Sequence, residues 1–234
     1  MLSAIQIPIW KMLIAMMGFP CVYILNGFSP WTTKLFGPRA DVSQRIPFYA
    51  SIIVLHLITV SVIVCWVNAL GYTAAAFGVD LAQALIGGML LLLVGGILAF
   101  MQPTQRKSAA IETGRSSLDL LSPTTRLERL VYVLLSLSAG FCEEFIYRGF
   151  GLLALRGIPL NVVLAVSLTS VAFTFLHSRA AFSFKFIFWF GSGIVFSGIY
   201  IFSCNLLLVM VVHTLFDLIL LFRPITRAPT MREI

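Results

Sequence analysis

Charge is what this sequence has least of. Asp, Glu, Lys and Arg make up 11% of its 234 residues, against 59% hydrophobic residues, and the mean hydropathy is +1.00. So thin a supply of charge cannot clothe a soluble domain of this length. Cysteine is sparse as well. Cys21, Cys65, Cys142 and Cys204 stand singly in or beside apolar runs with no CxxC spacing, which excludes a zinc ribbon and a secreted disulfide framework. Internal repeats and low-complexity tracts are lacking, and so is an HExxH motif. The opening stretch "MLSAIQIPIWKMLIAMMGF" has no basic leader and no clear small-residue cleavage site, so it reads as a retained first span.

Long apolar runs are what remains. A helix needs roughly 20 residues to cross about 30 Å of hydrocarbon, whereas barrel strands would alternate in polarity. The runs predict helical spans near 5–26, 48–68, 81–101, 130–156, 158–180, 183–203 and 205–222. The expected fold is all-α: a polytopic transmembrane bundle of about seven spans, forming one domain over 1–234. Three N-terminal spans (1–101) precede a polar stretch at 102–129 that suits an interfacial loop with a short amphipathic piece. A second block of spans (130–222) and a polar tail (223–234) follow.

The net charge of +7 belongs to the loops. Lys34, Arg39 and Arg45 fall in the first, Arg106, Lys107, Arg115, Arg126 and Arg129 in the third, Arg179 in the fifth, and Arg223, Arg227 and Arg232 in the tail. This alternation predicts an outside N-terminus and an inside C-terminus. It makes membrane lipid, not nucleic acid, the partner of the basic groups. With no evident organelle signal, a prokaryotic plasma membrane is the expected location of this multi-pass protein.

Against that background the buried charges stand out, because an Asp, Arg or Lys at a span's centre costs about 2.5–3.5 kcal/mol on insertion scales. The fourth span holds "SAGFCEEFIYRGF". Glu144 and Arg148 are at i and i+4 on one helical face, while Glu143 is turned about 100° away and left to point at something else. The fifth span ends "VAFTFLHSRA", with Phe173 one turn before His177 and placed to fix its ring. The seventh reads "MVVHTLFDLIL", with His213 and Asp217 again at i and i+4. Counted from the turn near 156–161, Glu143 and His177 lie roughly 20 and 25 Å along their helices, at matching depth. One polar cavity inside the bilayer can hold them all. Other polar or distinctive features carry no such pattern. His56 in the second span is read as a helix-packing hydrogen-bonder. The aromatic run "FSFKFIFWF" is assigned to lipid contact and packing, Gly191, Gly193 and Gly198 to close helix contact, and Cys142 to simple burial.

At these residues the sequence resembles the CPBP family of intramembrane proteases, which includes the type II CAAX prenyl endopeptidases and the Abi, or bacteriocin-immunity-type, proteins. Its EExxxR, FxxxH and HxxxN/D signatures match "EEFIYR" (143–148), "FTFLH" (173–177) and "HTLFD" (213–217), in order and on predicted spans. The resemblance covers about residues 125–222 and implies a helical-bundle peptidase with a glutamate-activated water. By that analogy 130–222 is the catalytic core and Glu143 the general base. His177 helps to position the water, His213 and residue 217 stabilise the oxyanion, and Arg148 orients Glu144. The CAAX-processing branch typically has Asn where this chain has Asp217. An ionised aspartate cannot donate to an oxyanion, so Asp217 either orients His213 or carries a proton.

The expected activity is endoproteolysis of a membrane-associated or lipidated protein without a cofactor. Glu143, His177 and His213 would also make a His₂Glu zinc set, with Asp217 behind His213. The non-catalytic alternative is a membrane scaffold or bacteriocin-immunity protein. A proton-coupled transporter is disfavoured by the lack of repeat symmetry.

Overall fold

The computed structural model of the chain describes residues 8, 10, 11, 14, 25, 26, 28–37, 40–101, 120–158, 160–177 and 184–222. Most of the predicted first span, residues 102–119 of the polar stretch and the tail at 223–234 lie outside the described residues.

Every regular element among the described residues is helical, and the protein is an all-α membrane bundle. A short α1 (Pro30–Leu35) starts at Ser29, whose Oγ accepts a hydrogen bond from the Thr32 amide. Then come α2 (Arg45–Ala69) and α3 (Leu81–Met101). The long α4 (Arg126–Arg156) is followed by α5 (Val162–His177), α6 (Phe184–Ser203) and α7 (Leu206–Leu218), the last running into a 3₁₀ turn at Ile219–Phe222. Val42–Ala69, Arg126–Arg156 and Phe184–Ser203 are long and apolar enough to cross a membrane.

Two elements begin at asparagine caps. α5 has 16 residues and α7 has 13, or about 24 and 20 Å of helix. Their starts are fixed by asparagines: Asn161 Oδ1 accepts from the Leu164 amide at 2.8 Å and Asn205 Oδ1 from the Leu208 amide at 3.1 Å. Each side chain satisfies a backbone donor that the first turn leaves without a partner. Hydropathy windows run across such caps without registering them.

α4 occupies the middle of the bundle, packing against α2, α3 and α7, while α5 packs against α6. A capping box opens it: Thr125 Oγ1 accepts from the Glu128 amide, and the Glu128 carboxylate accepts from the Thr125 amide. Arg45, at the start of α2, pins this corner. Its Nε donates to the Leu120 carbonyl at 2.6 Å and its Nη1 reaches Thr124 Oγ1 at 3.2 Å and Glu128 Oε2 at 3.4 Å. Leu120, Ser122 and Thr124 are consequently buried, so the last part of the predicted interfacial stretch is tucked against α2.

Small residues set how closely the helices approach. A Cβ on Gly140 of α4 would run into Thr214 Oγ1 and lie 2.8 Å from the Met210 carbonyl oxygen of α7. A Cβ on Gly193 of α6 would lie 2.9 Å from Ser170 Cβ on α5. Of the three α6 glycines assigned to helix contact, Gly193 alone serves it; Gly191 and Gly198 have open space beside them.

The apolar pattern gives no hint of the change in helical pitch within α4. Immediately after Glu144 the helix widens into an eight-residue π segment, Phe145–Leu152, before closing as α-helix again at Leu153–Arg156. π-Type turns inside α-helices are rare and concentrate at functional sites.

Candidate active site

The two adjacent glutamates face different partners. Glu144, fully buried, shares Oε1 between two donors: Arg148 Nη1 at 2.9 Å, one turn on, and His213 Nδ1 at 2.8 Å, from α7. Arg148 is fully buried too. Its Nη2 donates to the Gly193 carbonyl at 3.2 Å, and its guanidinium lies between the rings of Phe173 (4.5 Å) and Phe196 (5.5 Å). Because so costly a cation is paired, hydrogen-bonded and stacked, it ties α4, α6 and, through Glu144, α7 into one unit.

Glu143 points away from this network, as the 100° offset between neighbouring helical positions requires. Its Oε1 lies 3.2 Å from His56 Nε2 on α2, and its Oε2 lies 3.9 Å from His177 Nε2 at the end of α5. Glu143 Oε2 is buried and has no hydrogen-bond partner in the protein. His177 is held on three sides. Its Nδ1 is 3.2 Å from the Phe173 carbonyl, its ring leans on Phe173 (centroids 4.7 Å apart), and it stacks on Trp189 of α6 (4.2 Å, 28°). A carbonyl can only accept, so Nδ1 carries the proton and the Nε2 lone pair is turned towards Glu143.

His213 is clamped in a similar way, stacked on Phe196 (5.1 Å, 27°) with the edge of Phe173 beside it. With Nδ1 on Glu144, its Nε2 looks towards Asp217 Oδ2 at 3.8 Å, too long for a hydrogen bond. The side chains of His177 and Asp217 are 23% and 24% exposed, while those of the other polar residues of the site are almost fully covered.

These groups border a cavity of about 580 Å³. Glu143, His56, Ser136, His177 and Asp217 contribute polar groups to its wall, and most of the rest is apolar or aromatic, including Phe48, Ile52, Leu176, Phe188, Trp189 and Phe216. All seven residues singled out from sequence therefore converge. Glu143, His177 and Asp217 reach the cavity, Glu144, Arg148 and His213 form the network behind it, and Phe173 lies between the two sets. Among the described residues no three His, Cys, Asp or Glu side chains are grouped as ligands for a metal ion.

Two members of the site are assigned to packing by the sequence reading. His56 has no charged neighbour at helical spacing in its own span, and Trp189 is hidden in an aromatic-rich run. Only the packing of α2 and α6 against the site brings them in.

Residues 125–219 match the family model described as Rce1-like, type II CAAX prenyl endopeptidase Rce1-like. This segment belongs to the Rce1-like family. The match takes in α4 to α7 and every residue of the two carboxylate networks except His56, which lies upstream of it. No curated protein and no solved structure matches the chain. The apolar helices mark an integral membrane protein, and its residues 125–219 are similar to the type II CAAX prenyl endopeptidases.

Proposed function

We propose that the protein is an intramembrane endopeptidase in which Glu143 activates a water molecule to cut a membrane-associated peptide. The observation that carries this reading is the pairing of Glu143 Oε2, a buried carboxylate oxygen without a protein partner, with the inward-facing Nε2 of His177, 3.9 Å away at the cavity wall. Both atoms are acceptors. A water bridging them would donate one hydrogen to each and present its oxygen lone pair to the cavity, the orientation a nucleophile needs.

In the proposed reaction Glu143 Oε2 takes a proton from the water while the oxygen bonds to the scissile carbonyl carbon. The C–N bond then breaks, and the proton held by Glu143 passes to the departing amine nitrogen. In this reading Asp217 at the cavity wall and the imidazole of His213 behind it meet the charge that develops on the carbonyl oxygen. Since Nδ1 of His213 is engaged by Glu144, Nε2 can donate there only in the doubly protonated ring. That form is compatible with carboxylates at both ends, Glu144 at 2.8 Å and Asp217 at 3.8 Å. Asp217 thus acts on His213 electrostatically, and need not donate as the amide of an asparagine would. The step uses no metal. The apolar remainder of the cavity suits a substrate presented from the lipid phase, of the prenylated kind the family name denotes.

The test is hydrolysis of a quenched fluorogenic farnesylated peptide with a CAAX terminus, in proteoliposomes, by wild type and Glu143→Gln. Wild type is expected to cleave it, with activity retained after exhaustive chelation. The variant should fold normally and lose about 10²–10⁴-fold in kcat. A fully active Glu143→Gln would overturn the assignment of the base. Full cellular function by a variant that does not hydrolyse would instead favour the scaffold or immunity reading.

A further inference from the structure

Glu143 has two carboxylate oxygens, and one of them is taken. Oε1 lies 3.2 Å from His56 Nε2, while His56 Nδ1 lies 2.9 Å from Ser138 Oγ. Both ring nitrogens of this histidine from α2 are therefore engaged by α4, and the ring is fully buried. The proton inventory fixes the direction of the chain. An ionised carboxylate only accepts, so Nε2 must donate to Oε1. The Nδ1 of a neutral ring is then an acceptor, and the Ser138 hydroxyl donates to it. From Ser138 through His56 to Glu143 every donor has an acceptor.

We infer that His56 is a positioning residue for the base: it holds Glu143 Oε1 so that Oε2 alone is presented to the water and the substrate. The inference rests on Glu143 being the base and adds a residue from outside the family-matched segment. A carboxylate has a broad, nearly two-fold terminal torsion and would otherwise swing between its oxygens. Pinned at Oε1, it presents one oxygen at a fixed distance from His177. The upstream helix therefore supplies more than bulk to the site.

His56→Asn and His56→Gln separate this role from packing. Asparagine can keep the Ser138 contact but is too short to reach Glu143, whereas the Gln side-chain nitrogen falls near the position of Nε2. Assayed with the farnesylated peptide, His56→Asn should lose about 10²-fold in kcat with KM changed little, the scale expected when a reacting group is displaced by about 1 Å. His56→Gln should recover to within about threefold of wild type, because it restores the donor to the pinned oxygen. Ser138→Ala, which leaves the ring in place but frees Nδ1, should fall between them.

Equal kcat for the Asn and Gln variants, whether both normal or both low, would overturn the positioning role. If those two are equal while Glu143→Gln is inactive, the endopeptidase reading stands and this inference alone fails. An active Glu143→Gln removes both.

Discussion

Arg148 shows what single residues do here. Its charge is buried, and Glu144, the Gly193 carbonyl and two aromatic faces take the place of solvent. Truncation to Met would leave the buried Glu144 carboxylate with His213 but without its guanidinium, and breaking a buried pair in this way costs about 3–5 kcal/mol. Arg148→Met is therefore expected to unfold at markedly lower temperature in detergent. Arg148→Lys, which cannot stack or fork in the same way, should recover only part of the loss. Light scattering or a thermofluor melt would register both. At this scale the sequence was informative wherever partners shared a helix: Glu144 with Arg148, Phe173 with His177, and His213 with Asp217 are all at i and i+4. It was silent for His56, whose contacts Ser138 and Glu143 lie 82 and 87 residues away in sequence. The same holds for Trp189, since a lone side chain in an apolar run carries no periodic signature of its role.

At the scale of elements, the bundle depends on where backbones touch. α4 meets α7 at Gly140, with the Met210 carbonyl 2.8 Å from where a side-chain carbon would begin. Backbone cannot rotate aside as a flexible side chain can, so even Gly140→Ala must push the two helices apart. Gly140→Val is expected to lower the melting temperature and, by moving His213 with α7, to reduce kcat together with it. Gly191→Ala, in open space on α6, should change neither and serves as the matched control. Helix existence was legible from the apolar runs because burial in lipid leaves few other ways to satisfy the backbone. The start of α5 at Val162 was not, since an asparagine cap sets it. Nor was the widened turn in α4, which the side-chain pattern conceals.

Across the whole molecule, the family-matched segment and the helices before it form one working unit. Arg45 fastens α2 to the entry of α4 through Leu120, Thr124 and Glu128, and one helical stretch further along the same α2 delivers His56 to Glu143. Loss of the fastening should be felt at a distance. Arg45→Met is expected to destabilise the protein by about 3–5 kcal/mol, because Glu128 would be left buried without its cation. It should also lower kcat more than KM as α2 loosens. Pulse proteolysis of the variant in micelles, with the kinetics measured alongside, would reveal both effects, and a normal kcat in a destabilised variant would show that the two ends of α2 act independently. The overall architecture was readable from composition alone. That α2 takes part in the site was not, since nothing in residues 1–101 resembles the family signatures.

The wide turns of Phe145–Leu152 have a consequence for how α4 tolerates change in length. An α-helix that absorbs one surplus residue in a bulge keeps its two flanks in a fixed rotational phase, and removing a residue from that bulge would advance everything beyond it by about 100°. The buried side chains of Leu152, Leu153 and Leu155 would then turn out of the core although no motif residue had been altered. Deletion of Gly149 or Gly151 should thus be far more damaging than substitution at either position, as if the segment were an indexing gear whose tooth count matters more than the shape of any tooth.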